Sequence, residues 1–366
     1  MGAFRFSLTI VGGRFNSLSY CGNGCSAVNN HRCYASPRLS ERVAKSNLPM
    51  DILVVMTKFR DVLRLIVAST MLSVILVQQS LAWGRDGHMM INRLAGAALP
   101  SDVPEFLRSK DALDALEYYG PEPDRWKSPG EPELNVAQSP EHFIDLEYAD
   151  LVGDLPRRRY DYVRALAFAQ KSHPDLPLSP EKVGLQPYEA TEVWERLKSA
   201  MRDYRALKAD HKDTKPSECE IVFLAGWLGH YVADGSQPLH TSIQYNGWTG
   251  PNPNGYTTEH NIHALFESGY VRANVKAADV APLIPAKPVV LGDIFADYMA
   301  YLRHTNALME KTYQLEKAGA FAGAGTPEGK TFTDERLAAG ATELRDMIYS
   351  AWVKSAEPVP QYRAGQ

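Results

Sequence analysis

The sequence predicts an all-α fold, a single multi-helix domain over roughly residues 83–355, and three observations carry that expectation. Apolar residues recur three and four positions apart along most of this stretch, the spacing that lines one face of a helix. No segment sustains the every-second-residue alternation of β-branched side chains that marks a half-buried strand. Between the periodic stretches stand capping residues and helix breakers, including Ser101-Asp102, Pro100, Ser179-Pro180, Thr333-Asp334 and a Gly-rich run over 319–325.

Taken in order, the first helix is expected over about 86–98 and stops before Pro100, whose ring bars continuation. A second follows over 103–118, started by Ser101-Asp102. Residues 119–141, rich in Pro and Glu, read as a loop. Helices over 158–173, 187–209 and 217–235 come next, the second of them after the Ser179-Pro180 signal. A second loop, 241–257, is rich in Gly, Asn and Pro. Helical spacing resumes over 258–275 and 290–317. Residues 318–332 read by composition as a flexible connector, and 333–355 as the last helix. There is no internal repeat.

The formal charge of −4 hides an asymmetry. Residues 1–82 hold nine Lys and Arg against Glu41, Asp51 and Asp61, which leaves the remainder acidic. An acidic body argues against a basic groove that grips long nucleic acid by its backbone. It leaves room for a local phosphate site, because bound metal reverses the local field. From Met56 the chain reads Lys58, Arg60 and Arg64, then an apolar run over 65–77, then Ser80 and Ala82. That is the order of a secretory signal peptide, and the run is shorter than the roughly 20 residues of a membrane span. We therefore expect an upstream extension over 1–55 arising from a mis-assigned start, a signal peptide over 56–82, and a mature domain over 83–366, secreted or periplasmic. Cys21, Cys25, His31 and Cys33 match no common zinc spacing well. Only Cys219 falls in the mature part, so the core must be stable without an internal disulfide.

The chemistry concentrates in FLAGWLGHYVADGSQPLH, residues 223–240. His230 and Asp234, four apart, project from one face of a helix. Pro238 forces a break that lets His240 approach from another direction. His263 and Glu267 repeat the four-residue spacing on a later helix. Imidazole nitrogen and carboxylate oxygen are the donors zinc takes from protein, and the absence of thiolate favours a hydrolytic centre over a structural finger. The bland alternative places these histidines on a surface or in a satisfied core. The concentration of His88, His142, His230, His240 and His263 in motif-like contexts favours metal.

HYVADGSQPLH resembles the central motif of the zinc-dependent phospholipase C and single-strand-specific nuclease superfamily, and the remaining family positions follow in order: Trp83, His88 in WGRDGH, Asp124 in PDRWK, His142, Phe143 and Asp145 in HFID, then His263 and Glu267. The resemblance covers 83–267, and the C-terminal part matches only in type. It implies an all-helical domain with a three-zinc cleft. One zinc would take Asp124, His142, His230 and Asp234. A second would take Trp83, through its free amino group and carbonyl oxygen, with His88 and the bridging Asp234. The third would take His240, His263 and Glu267. It also implies phosphoester hydrolysis by a zinc-bound hydroxide, with Asp124 orienting the nucleophile. Lys127 would neutralise a phosphate oxygen or stand as a solvated surface residue. A Trp83 ligand requires cleavage before residue 83, where the leader reading independently puts it.

The substrate within that superfamily is less sharply written. Asn261, and Phe143 with Asp145 as a base-stacking pair, resemble the nucleases and imply single-stranded DNA, RNA or nucleotides as substrate. Phe143 is equally at home as a core aromatic. Glu267, Lys127 and the 241–257 loop with Tyr245, Trp248 and Tyr256 lean toward a phospholipase C acting on phospholipid head groups. Those three aromatics line a pocket, bind a lipid head group or pack the loop. His260 shares a helical face with His263 and competes as a ligand. A zinc-binding module without catalysis is the third reading. Nothing in the sequence points to a stable protein partner.

Overall fold

The structure is a computed structural model that describes residues 83–359, so the extension over 1–55 and the leader over 56–82 lie outside the described residues. In chain order the main helices are α1 (Gly84–Ala97), α2 (Lys110–Tyr119), α3 (Arg159–Ser172), α4 (Gln186–Ala209) and α5 (Lys215–Ser236), then α6 (262–274), α7 (Ile294–Asn306), α8 (Met309–Lys317) and α9 (Pro327–Lys354). Extended pairing among the described residues is confined to two isolated bridges, Ile144 with Gly184 and Tyr245 with Gly247. The fold is all-α, as the periodicity requires.

Helix α5 is the axis. It packs against α1, α2, α4, α7 and α9, and every residue from Leu228 to Ser242 is buried. A helix buried on all sides is apolar all round, and Val222, Leu224, Ala225, Leu228 and Val232 supply that character. Ile91 of α1, Leu116 of α2, Leu197 of α4 and Leu344 of α9 belong to the same continuous core. His230 and Asp234 therefore sit where water does not reach, and such groups must find partners. No helix among the described residues is long and apolar enough to cross a membrane.

Several boundaries differ from the sequence expectation for identifiable reasons. The second helix starts at Lys110 and not near 103, because a 3₁₀ turn over Glu105–Arg108 intervenes and Ser109 is the cap, its Oγ accepting from the Ala112 amide at 3.2 Å. The 119–141 segment is not a plain loop: it holds short helices over Glu122–Trp126 and Pro132–Gln138. The helix expected over 290–317 is two, broken after Asn306, whose side chain leaves the helix surface to donate to the Thr241 carbonyl at 2.8 Å. The supposed connector 318–332 is shorter than expected. Thr326 accepts from the Gly329 amide and Pro327 occupies the first turn, so α9 begins there and not at Thr333.

Candidate metal centre

Three groups of buried side chains bring their donor atoms within 4.8 Å of one another: His88, His230 and Asp234; Asp124, His142 and His230; and His240, His263 and Glu267. Four elements supply the first two groups. α1 carries His88, α5 carries His230 and Asp234, the short helix Glu122–Trp126 carries Asp124, and the 3₁₀ turn Ser139–His142 ends in His142. Asp234 is the hub. One of its oxygens lies 3.3 Å from His88 Nε2, and the other lies 3.2 Å from His142 Nδ1 and 3.4 Å from His230 Nε2. The third group stands alongside, with His240 Nδ1 4.0 Å from Asp234 Oδ2. In it, His263 Nε2 is 3.0 Å from His240 Nε2 and 2.9 Å from Glu267 Oε2.

The backbone aims these rings. His230 Nδ1 lies 2.8 Å from the Gly120 carbonyl, His240 Nδ1 2.8 Å from the His142 carbonyl and His263 Nδ1 2.9 Å from the Tyr245 carbonyl. A carbonyl accepts only, so each Nδ1 donates and each Nε2 keeps its lone pair toward the cluster, the usual outer support of a metal-ligating histidine. Pro238 does end α5, and His240 closes a 3₁₀ turn whose first amides are capped by Gln237, its Oε1 accepting from the Leu239 amide at 2.8 Å. A π-helical turn over Leu265–Tyr270 carries Glu267. His260 takes no part: it is exposed, with Nδ1 at 2.6 Å from the Asn246 carbonyl.

Electrostatics point the same way. Burial pushes the His142 imidazole down to about 4, with Lys127 adding to the effect, and burial with His88 holds His230 well below its ordinary value. Both rings are neutral, the form that binds metal. Burial alone would raise Asp234, but positive charge at the surrounding nitrogens, on the imidazoles or on a cation they hold, outweighs it and keeps the carboxyl below its ordinary value. Glu267 is lowered in the same way, burial being overcome by His263 and His240.

The donor set also fits divalent metal by what it lacks. Both oxygens of Asp124, both ring nitrogens of His88, His142 Nε2, Asp234 Oδ1 and Glu267 Oε1 are buried without a hydrogen-bond partner among the described residues. So dense a group of unsatisfied atoms is foreign to an ordinary core and suits a cation of nitrogen and oxygen ligands. Lys127 Nζ is 2.8 Å from Asp124 Oδ1 as an ion pair without hydrogen-bond geometry. Its side chain is largely buried, so it is not the free surface lysine the sequence allowed.

Trp83 is fully buried, its Nε1 donating to Ser236 Oγ at 2.8 Å and its ring 5.3 Å from that of Phe266. These contacts fix it between the segments that carry Asp234 and Glu267, at the head of the helix that carries His88. Phe143 is half-buried. Asp145 is buried, and its carboxyl is pushed up to about 8 by burial and then by Glu147. The 143–146 strip is threaded between two others: the Ile144 amide donates to the His240 carbonyl at 3.0 Å and the Asp145 amide to the Val183 carbonyl at 2.8 Å. Gly184 (φ +93°) is required beside it, because a Cβ there would stand 2.1 Å from the Phe143 carbonyl oxygen.

Sequence reasoning missed two supports. Asn92 donates from Nδ2 to the Leu116 carbonyl at 3.0 Å and the Gly226 carbonyl at 2.9 Å, tying α1 to α2 and α5 one turn from His88. Arg159 binds Glu141 at 2.8 Å, Glu192 at 2.9 Å and also Glu189, bracing the turn that ends in His142 against α3 and α4. A buried-face Asn in α1 was a readable signal for the first; nothing local marked the second.

An all-helical body with buried imidazole and carboxylate groups converging on shared centres marks a protein of the metal-dependent hydrolase class. The S1/P1 nuclease family model matches residues 83–322, and the chain belongs to that family, one of metal-dependent, nuclease-type phosphodiesterases. The match begins at Trp83 and takes in every residue of the three groups. No curated protein and no solved structure matches the chain.

Proposed function

We propose that the protein is a secreted or periplasmic, zinc-dependent phosphodiesterase that hydrolyses single-stranded DNA and RNA, with 3′-nucleotides as further substrates and 5′-phosphorylated products. The observation that carries this reading is the convergence of His88, Asp124, His142, His230 and Asp234, in which both Asp124 oxygens and Asp234 Oδ1 accept no hydrogen bond among the described residues. The all-nitrogen-and-oxygen donor set suits zinc, in three positions: Asp124, His142, His230 and Asp234; Trp83, His88 and Asp234; His240, His263 and Glu267. Bound there, such ions lower the pKa of a coordinated water to about 7 and offset charge on phosphoryl oxygens.

The chain's own residues have distinct tasks in this scheme. Asp124 orients the attacking water and takes up its proton. Lys127, held beside Asp124, neutralises a phosphoryl oxygen as charge grows in the transition state. Phe143 and Asp145 receive a base beside the scissile phosphate. The packing of the 241–257 loop lends the lipid reading no support from two of its three aromatics. Trp248 and Tyr256 pack on each other and on Tyr313, with ring centres 4.7 and 5.7 Å from Tyr256, so they serve the loop and not a head group. Tyr245 alone stands exposed, its ring 6.3 Å from that of His263. Base stacking on one such ring contributes about 1–3 kcal/mol without a basic groove.

Trp83 supports cleavage of the leader before it. Its backbone lies in the left-handed region (φ +36°), which costs a bulky residue about 1–3 kcal/mol in a continuous chain. Release of the preceding peptide removes that torsion and frees the α-amino group as a ligand.

The deciding experiment offers single-stranded DNA, RNA, a 3′-nucleotide and phosphatidylcholine to zinc-loaded protein beginning at Trp83 and to the uncleaved chain, with and without chelator. We expect chelator-sensitive cleavage of the nucleic acids, and poor activity with any extension before Trp83. Cleavage of the lipid alone would replace the substrate with a phospholipid. Silence on all four with zinc bound would mean a binding module without catalysis.

A further inference from the structure

α7 and α9 flank two adjoining hollows of about 490 and 510 Å³ that share Tyr301 and Glu343. The segment 283–292 borders both. It is pinned to α9 by the Val289 amide on Asp346 (3.1 Å), the Leu291 amide on Ser350 (2.8 Å) and Arg345 on the Pro285 and Lys287 carbonyls. Tyr301 ties the hollows to the fold by donating to the Val232 carbonyl at 2.9 Å.

The larger hollow is lined by a guanidinium with no ion pair at contact distance among the described residues. Arg336 is only 8 % exposed, yet its Nε and Nη1 are buried with no acceptor among the described residues. Its guanidinium carbon lies 5.9 Å from the Phe332 ring, and Tyr301 and Glu335 attract it through space without a hydrogen bond. The other buried arginine of the same helix, Arg345, has acceptors on Asp346, Pro285 and Lys287. A guanidinium held out of water is strongly disfavoured unless it is paired. Leu283, Pro285, Ala338 and Ala339 give it an apolar flank; Tyr301, Thr342 and Glu343 add polar atoms, and the exposed carboxylate of Glu335 stands at the rim.

We propose that this hollow binds a small organic carboxylate with an apolar body, its head group on Arg336 and its body against Leu283, Pro285 and Ala339. A single guanidinium beside Glu335 suits one negative charge and not two, which favours a carboxylate over a phosphate. Glu343 supports the assignment. Burial, then Asp346 and Asp297, push its carboxyl up to about 8, so at neutral pH it offers a proton to an anion and does not repel it. The hollow shares no residue with the metal groups.

The test is calorimetric titration of octanoate into the zinc-loaded full chain, its Arg336→Met, Ala339→Phe and His230→Ala variants, with inorganic phosphate as a second probe. We expect octanoate to bind the unaltered chain and His230→Ala alike. Arg336→Met should weaken binding at least about tenfold, the loss of one charge-assisted pair. The same variant should melt a few degrees higher, because it removes an unpaired buried charge. Ala339→Phe, which fills the hollow and leaves the guanidinium in place, should abolish binding even if Arg336→Met fails to fold. Equal affinity for Arg336→Met, loss of binding in His230→Ala, no binding to the unaltered chain, or phosphate binding as tightly as octanoate would each overturn the proposal.

Discussion

Gly229→Ala places one methyl group at the junction that holds the metal residues together. The new Cβ would stand 2.1 Å from Asn92 Oδ1 and 2.7 Å from Asn92 Nδ2, inside any allowed contact. In a helix interior the same change ordinarily stabilises by about 1 kcal/mol, through backbone entropy. Here that gain is outweighed. If Asn92 rotates away, its bonds to the Leu116 and Gly226 carbonyls are lost and a buried amide is left unpaired. Two bonds and one unsatisfied group amount to about 2–5 kcal/mol. The net expectation is a loss of about 1–4 kcal/mol. If α1 moves instead, by more than about 1 Å to reach ordinary contact, His88 separates from Asp234 (3.3 Å) and from the His230 ring it stacks on (3.9 Å). Zinc affinity then falls as well. Urea denaturation of the zinc-free protein and zinc titration read the two routes separately. Asn92→Ala in the same chain removes the obstacle, so Gly229→Ala should cost at least about 1 kcal/mol less in that background. Stability within about 0.5 kcal/mol of the parent with unchanged zinc affinity, or strict additivity in the double variant, would refute the reasoning.

Asp234→Asn should reduce zinc affinity beyond the 10–100-fold typical of an outer-shell partner and abolish turnover, read by zinc content and oligonucleotide cleavage. Full activity with full metal would exclude Asp234 as the hub. Lys127→Met should lower kcat/KM about 10–100-fold, the value of a charged contact made to a developing oxyanion, with Lys127→Arg retaining more activity. An unchanged rate would return Lys127 to a purely structural pairing with Asp124. Glu343→Gln tests a pH effect. The folded-state pKa is raised from 4.5 to about 8 by burial, so the folded protein binds the proton more tightly than the unfolded chain. The carboxyl is therefore harmless below about pH 4.5 and costs stability increasingly as pH rises toward 8, to an upper bound of about 5 kcal/mol. The variant should gain on the parent across that window in melting experiments; parallel curves would contradict the burial.

Much of this protein is legible in its sequence because the relevant signals are local. The three-and-four spacing writes α1, α4 and α5 to within a few residues, and the i, i+4 pairs His230/Asp234 and His263/Glu267 need only a helix to face one way. Pro238 writes the turn that brings His240 in, since a proline ring is incompatible with a continuing helix. Capping is local too, but Ser101-Asp102 and Thr333-Asp334 are not the caps the folded chain uses. Packing favoured Ser109 and Thr326, which periodicity alone did not select.

What the sequence left open depends on contacts between segments far apart in the chain. It ranked His263 ahead of His260 for one ligand position, and it is His263 that meets His240 and Glu267 while His260 is exposed. It left Tyr245, Trp248 and Tyr256 equivalent until Tyr313 of α8 drew two of them into the loop core. Asn92, Gly229 and the Arg159 brace matter only because α1, α3, α4 and α5 meet in three dimensions, and no residue near them in sequence announces it. Residue types and spacing thus determined the helical class and the two i, i+4 histidine–carboxylate pairs by themselves. Which donors share a centre, which rings stay exposed and which charges remain without a partner were decided by tertiary packing, because burial and hydrogen-bond satisfaction belong to neighbours in space and not in sequence.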